Sequence, residues 1–246
     1  MGGFASKRSA TASGCGGAGP SAALPLLPDA HRHRLRRGAL HLAPRRSQRC
    51  STPFFSNLLG DFVSGATPES LPVPSDDGAC DHLLGLALPS LALASTSGKT
   101  VDLSKVEGRL IVYCYPMTGK PGVPLPAGWE EIPGAKGCTP EACGFRDLAK
   151  ELEELGATVF GLSTQSREDQ AEAKSRLELP FDLLSDRDLA FANALRLPTF
   201  EAGGRKLLKR LTLVAGDGRI SKVFYPVFPP GEHAAEVVAW LRSPAG

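Results

Sequence analysis

From residue 83 onward, short apolar runs alternate with stretches in which apolar positions recur at helical spacing. Residues 86–94 read as a strand, followed by a turn at Ser97-Gly98-Lys99 and a short extended piece at 101–103. The unbroken apolar and aromatic run 110–115 predicts a strand buried on both faces. Phe145, Leu148, Leu152 and Leu155 keep the three-to-four-residue spacing of a helix over 140–155, which Gly156 closes. A strand at 158–163, a helix capped by Ser166 and running to about 177, a strand at 181–184 and a short helix at 188–195 follow. Residues 206–214 and 219–225 read as two strands joined at Gly216-Asp217-Gly218, a hairpin turn signal, and 232–241 as a closing amphipathic helix. Strands and helices in this order predict an α/β fold with a mixed sheet.

Upstream the pattern is lost. Residues 1–60 are rich in Ala, Ser, Gly, Pro and Arg, and hold nine basic residues against the single acid Asp29. Such a segment cannot bury a core. It reads as a transit peptide, chloroplast rather than mitochondrion because Ala, Ser and Pro are abundant, or else as a disordered basic segment. Residues 61–82 read as a linker and 83–246 as one domain. The remainder after residue 60 carries 19 basic and 25 acidic residues, a balance that argues against a nucleic-acid partner. No run of 18 apolar residues predicts a membrane span. Six cysteines are too few for a disulfide scaffold, and the five histidines have no metal-ligand spacing to them. No metal, haem or flavin is expected.

The candidate chemistry lies in Gly137-Cys138-Thr139-Pro140-Glu141-Ala142-Cys143. Thr139 reads as an N-cap and Pro140 as the first helical residue, with Glu141 adding negative charge in the first turn. Cys138 would then lie where backbone N–H groups and the helix dipole favour a thiolate, the nucleophilic form of cysteine. Cys143 follows five residues later. In a regular helix the two Cα atoms are about 7.5 Å apart along the axis and about 140° apart around it, beyond the roughly 7 Å that a disulfide spans. Two ordinary buried thiols are the other reading of this spacing. Cys114, inside the predicted central strand, reads as packing, and Cys80 as a linker thiol that could act as an alternative partner.

The ordered strings Leu88-Pro89-Ser90-Leu91, Gly98-Lys99-Thr100-Val101-Asp102-Leu103-Ser104, residues 111–116, residues 137–147, Gly161-Leu162-Ser163, residues 180–186 and Arg210-Leu211-Thr212-Leu213 resemble the peroxiredoxins, in particular the bacterioferritin-comigratory or peroxiredoxin Q branch. The resemblance covers residues 86–242 and implies a thioredoxin-like fold, a central mixed β-sheet flanked by helices. It implies a thiol-dependent peroxidase acting on hydrogen peroxide or organic hydroperoxides. Cys138 would be the peroxidatic cysteine, Cys143 the resolving one and Arg210 the arginine that polarises the peroxide. Thioredoxin or a related dithiol would be the reductant, and the branch favours a monomer. A low-turnover redox sensor or partner-binding module is the alternative, and a disulfide oxidoreductase is weaker because Cys-x-x-Cys is absent.

The chain departs from the family pattern at one place. The family has Pro-x-x-x-Thr-x-x-Cys before the peroxidatic cysteine, whereas here Ala135 stands three residues before Cys138. A Gly- and Pro-rich insertion from Met117 to about Ala135, with Trp129 in its middle, separates Pro116 from the cysteine. Thr118 is the expected donor of the missing hydroxyl, with Thr139 as its substitute. Trp129 reads as the hydrophobic anchor of the inserted loop.

Overall fold

The computed structural model describes residues 71–244, so the expectations for residues 1–60, and for 61–70 of the linker, lie outside the described residues. Nine strands are described: β1 (Ala92–Ser95), β2 (Thr100–Asp102), β3 (Arg109–Cys114), β4 (Ala157–Ser163), β5 (Leu183–Ser185), β6 (Thr199–Ala202), β7 (Arg205–Leu208), β8 (Leu211–Gly216) and β9 (Arg219–Phe224). Five helices accompany them: α1 (Cys138–Asp147), α2 (Ala149–Glu154), α3 (Arg167–Arg176), α4 (Ala190–Leu195) and α5 (His233–Arg242). Seven strands form one mixed sheet in the order β2-β1-β5-β4-β3-β8-β9. Its centre, β3, β4 and β5, is parallel, and both flanks are antiparallel.

The expected central strand is β3, paired over its full length with β4 on one side and β8 on the other. Its side chains alternate between two cores, as the period of two in a strand requires. Ile111 and Tyr113 pack with α1, α2, α3 and α5 on one face. Leu110, Val112 and Cys114 pack with Leu83 and α4 on the other. Tyr113 lies parallel to Phe145 of α1, with ring centroids 4.7 Å apart, which ties the helix to the sheet.

The strand read as 86–94 is confined to Ala92–Ser95, and three further local expectations change. The helix read as 140–155 begins two residues earlier and is divided at Leu148 into α1 and α2. Its N-cap is Gly137, at φ +104°, and Thr139 lies inside the first turn. Glycine reaches that backbone angle at low cost, and its carbonyl accepts the Glu141 N–H at 3.1 Å. The run 206–214 is two strands, not one. β7 turns back on β6 through Gly203-Gly204, whereas β8 enters the main sheet, with Lys209 and Arg210 at the break. The hairpin at Asp217-Gly218 has both residues at positive φ, the two-residue turn the sequence signals. No helix among the described residues is long and apolar enough to cross a membrane.

Candidate active site

The site is built from three pieces of chain: the start of α1, the residues leading into β8, and the 117–135 insertion. Gly137 sets the first. A Cβ there would lie 2.2 Å from Cγ of Pro230, so glycine is required by packing as well as by φ. With that turn in place Cys138 is the first residue of α1, only 5% exposed, with its Sγ facing the carbonyl of Ala135 at 3.7 Å. Unpaired N–H groups of the first turn and the positive end of the helix dipole surround it.

Arg210 supplies the second piece. Its Nη2 donates to Cys138 Sγ at 3.2 Å and to the Lys136 carbonyl at 3.1 Å, and its Nε to the Gly134 carbonyl at 3.3 Å. Nη1 is ion-paired with Glu141 Oε2. Arg210 and Glu141 are both buried. Burial pushes the Glu141 carboxyl up to about 7, against the pull of Arg210. Burial works against the Arg210 charge, but Cys138 and Glu141 outweigh it and raise its pKa above the ordinary value. A guanidinium so tethered keeps its charge and its direction, which is what stabilising a developing negative charge requires.

Local sequence marks Glu141 only as a first-turn acid. Its counter-charge role depends on a partner 69 residues away, which no local pattern reveals. His233 was missed as well. It is buried at the start of α5, its Nε2 lies 2.8 Å from Thr212 Oγ1 and its Nδ1 3.0 Å from Glu236 Oε2. Burial holds its pKa below the ordinary value, with Glu236 opposing and Arg210 adding to the shift. It links α5 to β8, two residues beyond Arg210.

The structure brings Cys138 and Arg210 together but leaves Cys143 apart. Cys143 is buried five positions along the same helix, and the four described cysteines are thiols. Cys80 and Cys114 lie in the core on the other face of the sheet, where burial pushes Cys80 up to about 12 and Cys114 well above its ordinary value. Neither is positioned as a partner for Cys138. Among the described residues no cluster of three His, Cys, Asp or Glu could hold a metal ion.

The insertion forms the third piece. Its Trp129 is 3% exposed and joins Met117, Ala135, Ala202 and Leu207 in a small core of its own, with Phe200 of β6 at 6.1 Å from the indole. This roof overhangs an open cleft of about 720 Å³ that contains Cys138, lined also by Thr139, Pro140 and Leu71 and by the charged Glu130, Glu131 and Lys136. Thr118 lines an adjoining recess and not the cleft that contains Cys138. Its backbone N–H donates to Gln165 Oε1 at 2.8 Å and its carbonyl accepts from Gln165 Nε2 at 3.0 Å. These bonds fix it in an adjoining recess with Asp169 and Arg205. Thr139, freed from capping by Gly137, is the hydroxyl-bearing residue that lines the Cys138 cavity.

The Redoxin family model matches residues 83–239. A chloroplastic peroxiredoxin Q of Oryza sativa subsp. japonica is 32% identical over 226 residues, covering 84% of this chain and 95% of the relative. The peroxiredoxin Bcp of Bacillus subtilis is 32% identical over 164 residues, covering 65% and 94%. The crystal structure of peroxidoxin BcpB from Mycobacterium tuberculosis superposes with a TM-score of 0.53 at 29% identity, over 65% of this chain and 96% of that one.

Proposed function

For a chain that belongs to the peroxiredoxin family, in its Q and Bcp branch, we propose that Cys138 is the peroxidatic thiol, Arg210 its electrostatic partner and Cys143 the resolving thiol of a thiol-dependent peroxidase. The observation that carries this reading is the 3.2 Å contact from Arg210 Nη2 to a sulfur at a helix N-terminus, on the floor of a cavity.

The Cys138 thiolate attacks the terminal oxygen of ROOH. An S–O bond forms, the O–O bond breaks, and RO⁻ leaves and takes up a proton as ROH. Arg210 donates to the charge growing on the departing oxygen, and Glu141 holds the guanidinium in place from behind. The sulfenic acid then condenses with the Cys143 thiol, releasing water and forming a disulfide. Both sulfurs belong to one ten-residue helix, so α1 must lose its first turns for that bond to close. An external dithiol, thioredoxin or a relative, reduces the disulfide by exchange. We assign the protein to the chloroplast on the kinship with chloroplastic relatives, and treat it as a monomer of which 1–60 is a transit segment, 61–82 a linker and 83–246 the catalytic domain.

Peroxide consumption by the full chain with a thioredoxin system tests the reading. Cys138→Ser abolishes turnover. Cys143→Ser permits one sulfenylation but no thioredoxin-linked cycle, and Arg210→Met slows the first step by about a hundredfold or more. Equal turnover by wild type and Cys138→Ser rejects the assignment. Ala135, with no hydroxyl three residues before the cysteine, favours a second reading as a slow redox sensor. Stoichiometric oxidation without rapid second-order consumption would select it.

A further inference from the structure

Three of the acceptors around Arg210 are backbone carbonyls of a single turn. Its Nε donates to Gly134 at 3.3 Å, and Nη2 to Ala135 at 3.4 Å and Lys136 at 3.1 Å, so the end of the insertion sets the direction of the guanidinium. The chain ahead of the domain lies against that turn. A Cβ built on Gly134 would lie 3.6 Å from Cβ and Cγ of Pro74, an ordinary van der Waals distance. Three residues on, Asp77 fastens the same stretch beside Arg210. Its Oδ2 accepts from Lys209 Nζ at 2.6 Å, and its Oδ1 from the Tyr225 hydroxyl at 2.7 Å. Lys209 directly precedes Arg210, and its backbone N–H donates to the Pro198 carbonyl at 2.9 Å. At the other end Leu71 lines the cleft that contains Cys138. Pro74 and Asp77 also share a recess of about 320 Å³ with Gly134, Lys209 and Arg210, which Cys138 does not line. Pro72 and Pro74 suit such a path, because each fixes φ and leaves no N–H to satisfy. The stretch precedes residues 83–239, which the Redoxin model matches.

We propose that residues 71–77 act as a strap that positions Arg210 for catalysis: Asp77 fastens it through Lys209, and Pro74 presses on the turn whose carbonyls orient the guanidinium. The proposal rests on the peroxidase reading above and adds no chemical step to it. Asp77 and Pro74 are positioning residues, acting on the reaction only through Lys209 and Gly134. The Asp77–Lys209 pair is partly exposed and contributes little to global stability. Its effect is geometric, since a guanidinium displaced by about an ångström stabilises the departing oxygen far less.

The test separates the contribution of the arginine from that of the sulfur. In the full chain carrying Cys143→Ser, the second-order rate of Cys138 sulfenylation by hydrogen peroxide is compared with the rate of Cys138 alkylation by iodoacetamide. Mass spectrometry of the Cys138 peptide reads both. Alkylation needs an accessible, ionised sulfur but no polarised O–O bond. Replacing 71–77 by a Gly/Ser stretch of equal length is expected to lower the ratio of the two rates about tenfold or more. Asp77→Ala and Lys209→Met each lower it several-fold, and Asp77→Ala/Lys209→Met falls no further than either single variant, because both break one tie. A ratio unchanged in the strap replacement and in Asp77→Ala overturns the proposal and leaves the peroxidase reading standing. A parallel fall of both rates, which a merely structural loss produces, overturns it in the same way. A Cys138 that alkylates but does not react with peroxide while the strap is intact overturns the peroxidase reading and the strap's role together.

Discussion

Replacing Gly137 by alanine separates two demands that meet at one residue. The first is conformational: φ is +104°, where an L side chain is strained by about 1–3 kcal/mol. The second is steric: the new Cβ would lie 2.2 Å from Pro230 Cγ and 3.1 Å from Pro230 Cβ, both on a rigid ring. Overpacking of that kind costs about 1–3 kcal/mol. Gly137→Ala is therefore expected to lose about 2–6 kcal/mol of stability. Gly98 provides the internal control, because its φ is +82° and an added Cβ meets nothing within 4 Å. Gly98→Ala measures the backbone share alone. Urea unfolding followed by tryptophan fluorescence gives both values, and equal m-values establish that the native states are compared. The structure predicts an excess of about 1–3 kcal/mol for Gly137→Ala over Gly98→Ala. It also predicts a loss of peroxide turnover for Gly137→Ala only, because relief of the overlap must move either Pro230 or the residue that carries the reactive sulfur. Equal destabilisation with turnover retained in both would refute the account of how α1 is started.

Thr139→Val is expected to lower kcat/KM for hydrogen peroxide several-fold, and Thr118→Val to leave it near wild type; the reverse order would return the hydroxyl to Thr118. Phe145→Ala removes a fully buried ring stacked on Tyr113 and should cost about 3–5 kcal/mol in urea unfolding. Because the folded chain holds the Glu141 proton up to about 7 while the unfolded chain releases it near 4.5, stability should fall as pH rises through that window. Glu141→Gln should flatten the fall in urea midpoints measured at pH 5 and pH 8. Asp77 behaves oppositely: hydrogen bonds from Lys209 and Tyr225 lower its pKa to about 2. Its contribution is present above 3.8 and lost as pH falls through about 2, so increased proteolysis near residue 77 in acid, already present at neutral pH in Asp77→Asn, is the expected signature.

What could be read in advance was what depends on local periodicity. The buried run of β3, the Ser166 cap of α3, which accepts the Asp169 N–H at 3.1 Å, and the Asp217-Gly218 turn all follow from neighbouring residues. The α/β order and the Cys138–Arg210 pairing were legible because specific strings occur in sequence. The rest depends on contacts distant in the chain. The run 206–214 carries strand-forming leucines on both sides of Lys209-Arg210, and only its choice of partners divides it into β7 and β8. Gly203-Gly204 is itself a hairpin signal for β6 and β7. Capping preferences favoured Thr139, but the space beside Pro230 admits only a glycine ahead of the cysteine, which moves the helix start back. Stretch 71–77 looked like plain linker, yet Asp77 bonds Lys209 at 2.6 Å and Tyr225 at 2.7 Å, and Leu71 reaches the cavity. Proline- and serine-rich composition records low helix and strand preference, not absence of contact.

The insertion and the β6–β7 hairpin keep an oily interior of their own, separate from the two that sandwich the main sheet. The end of the insertion nevertheless reaches the reactive pair, because the Gly134 and Ala135 carbonyls accept from Arg210, so a loop folded around its own indole also aims the guanidinium.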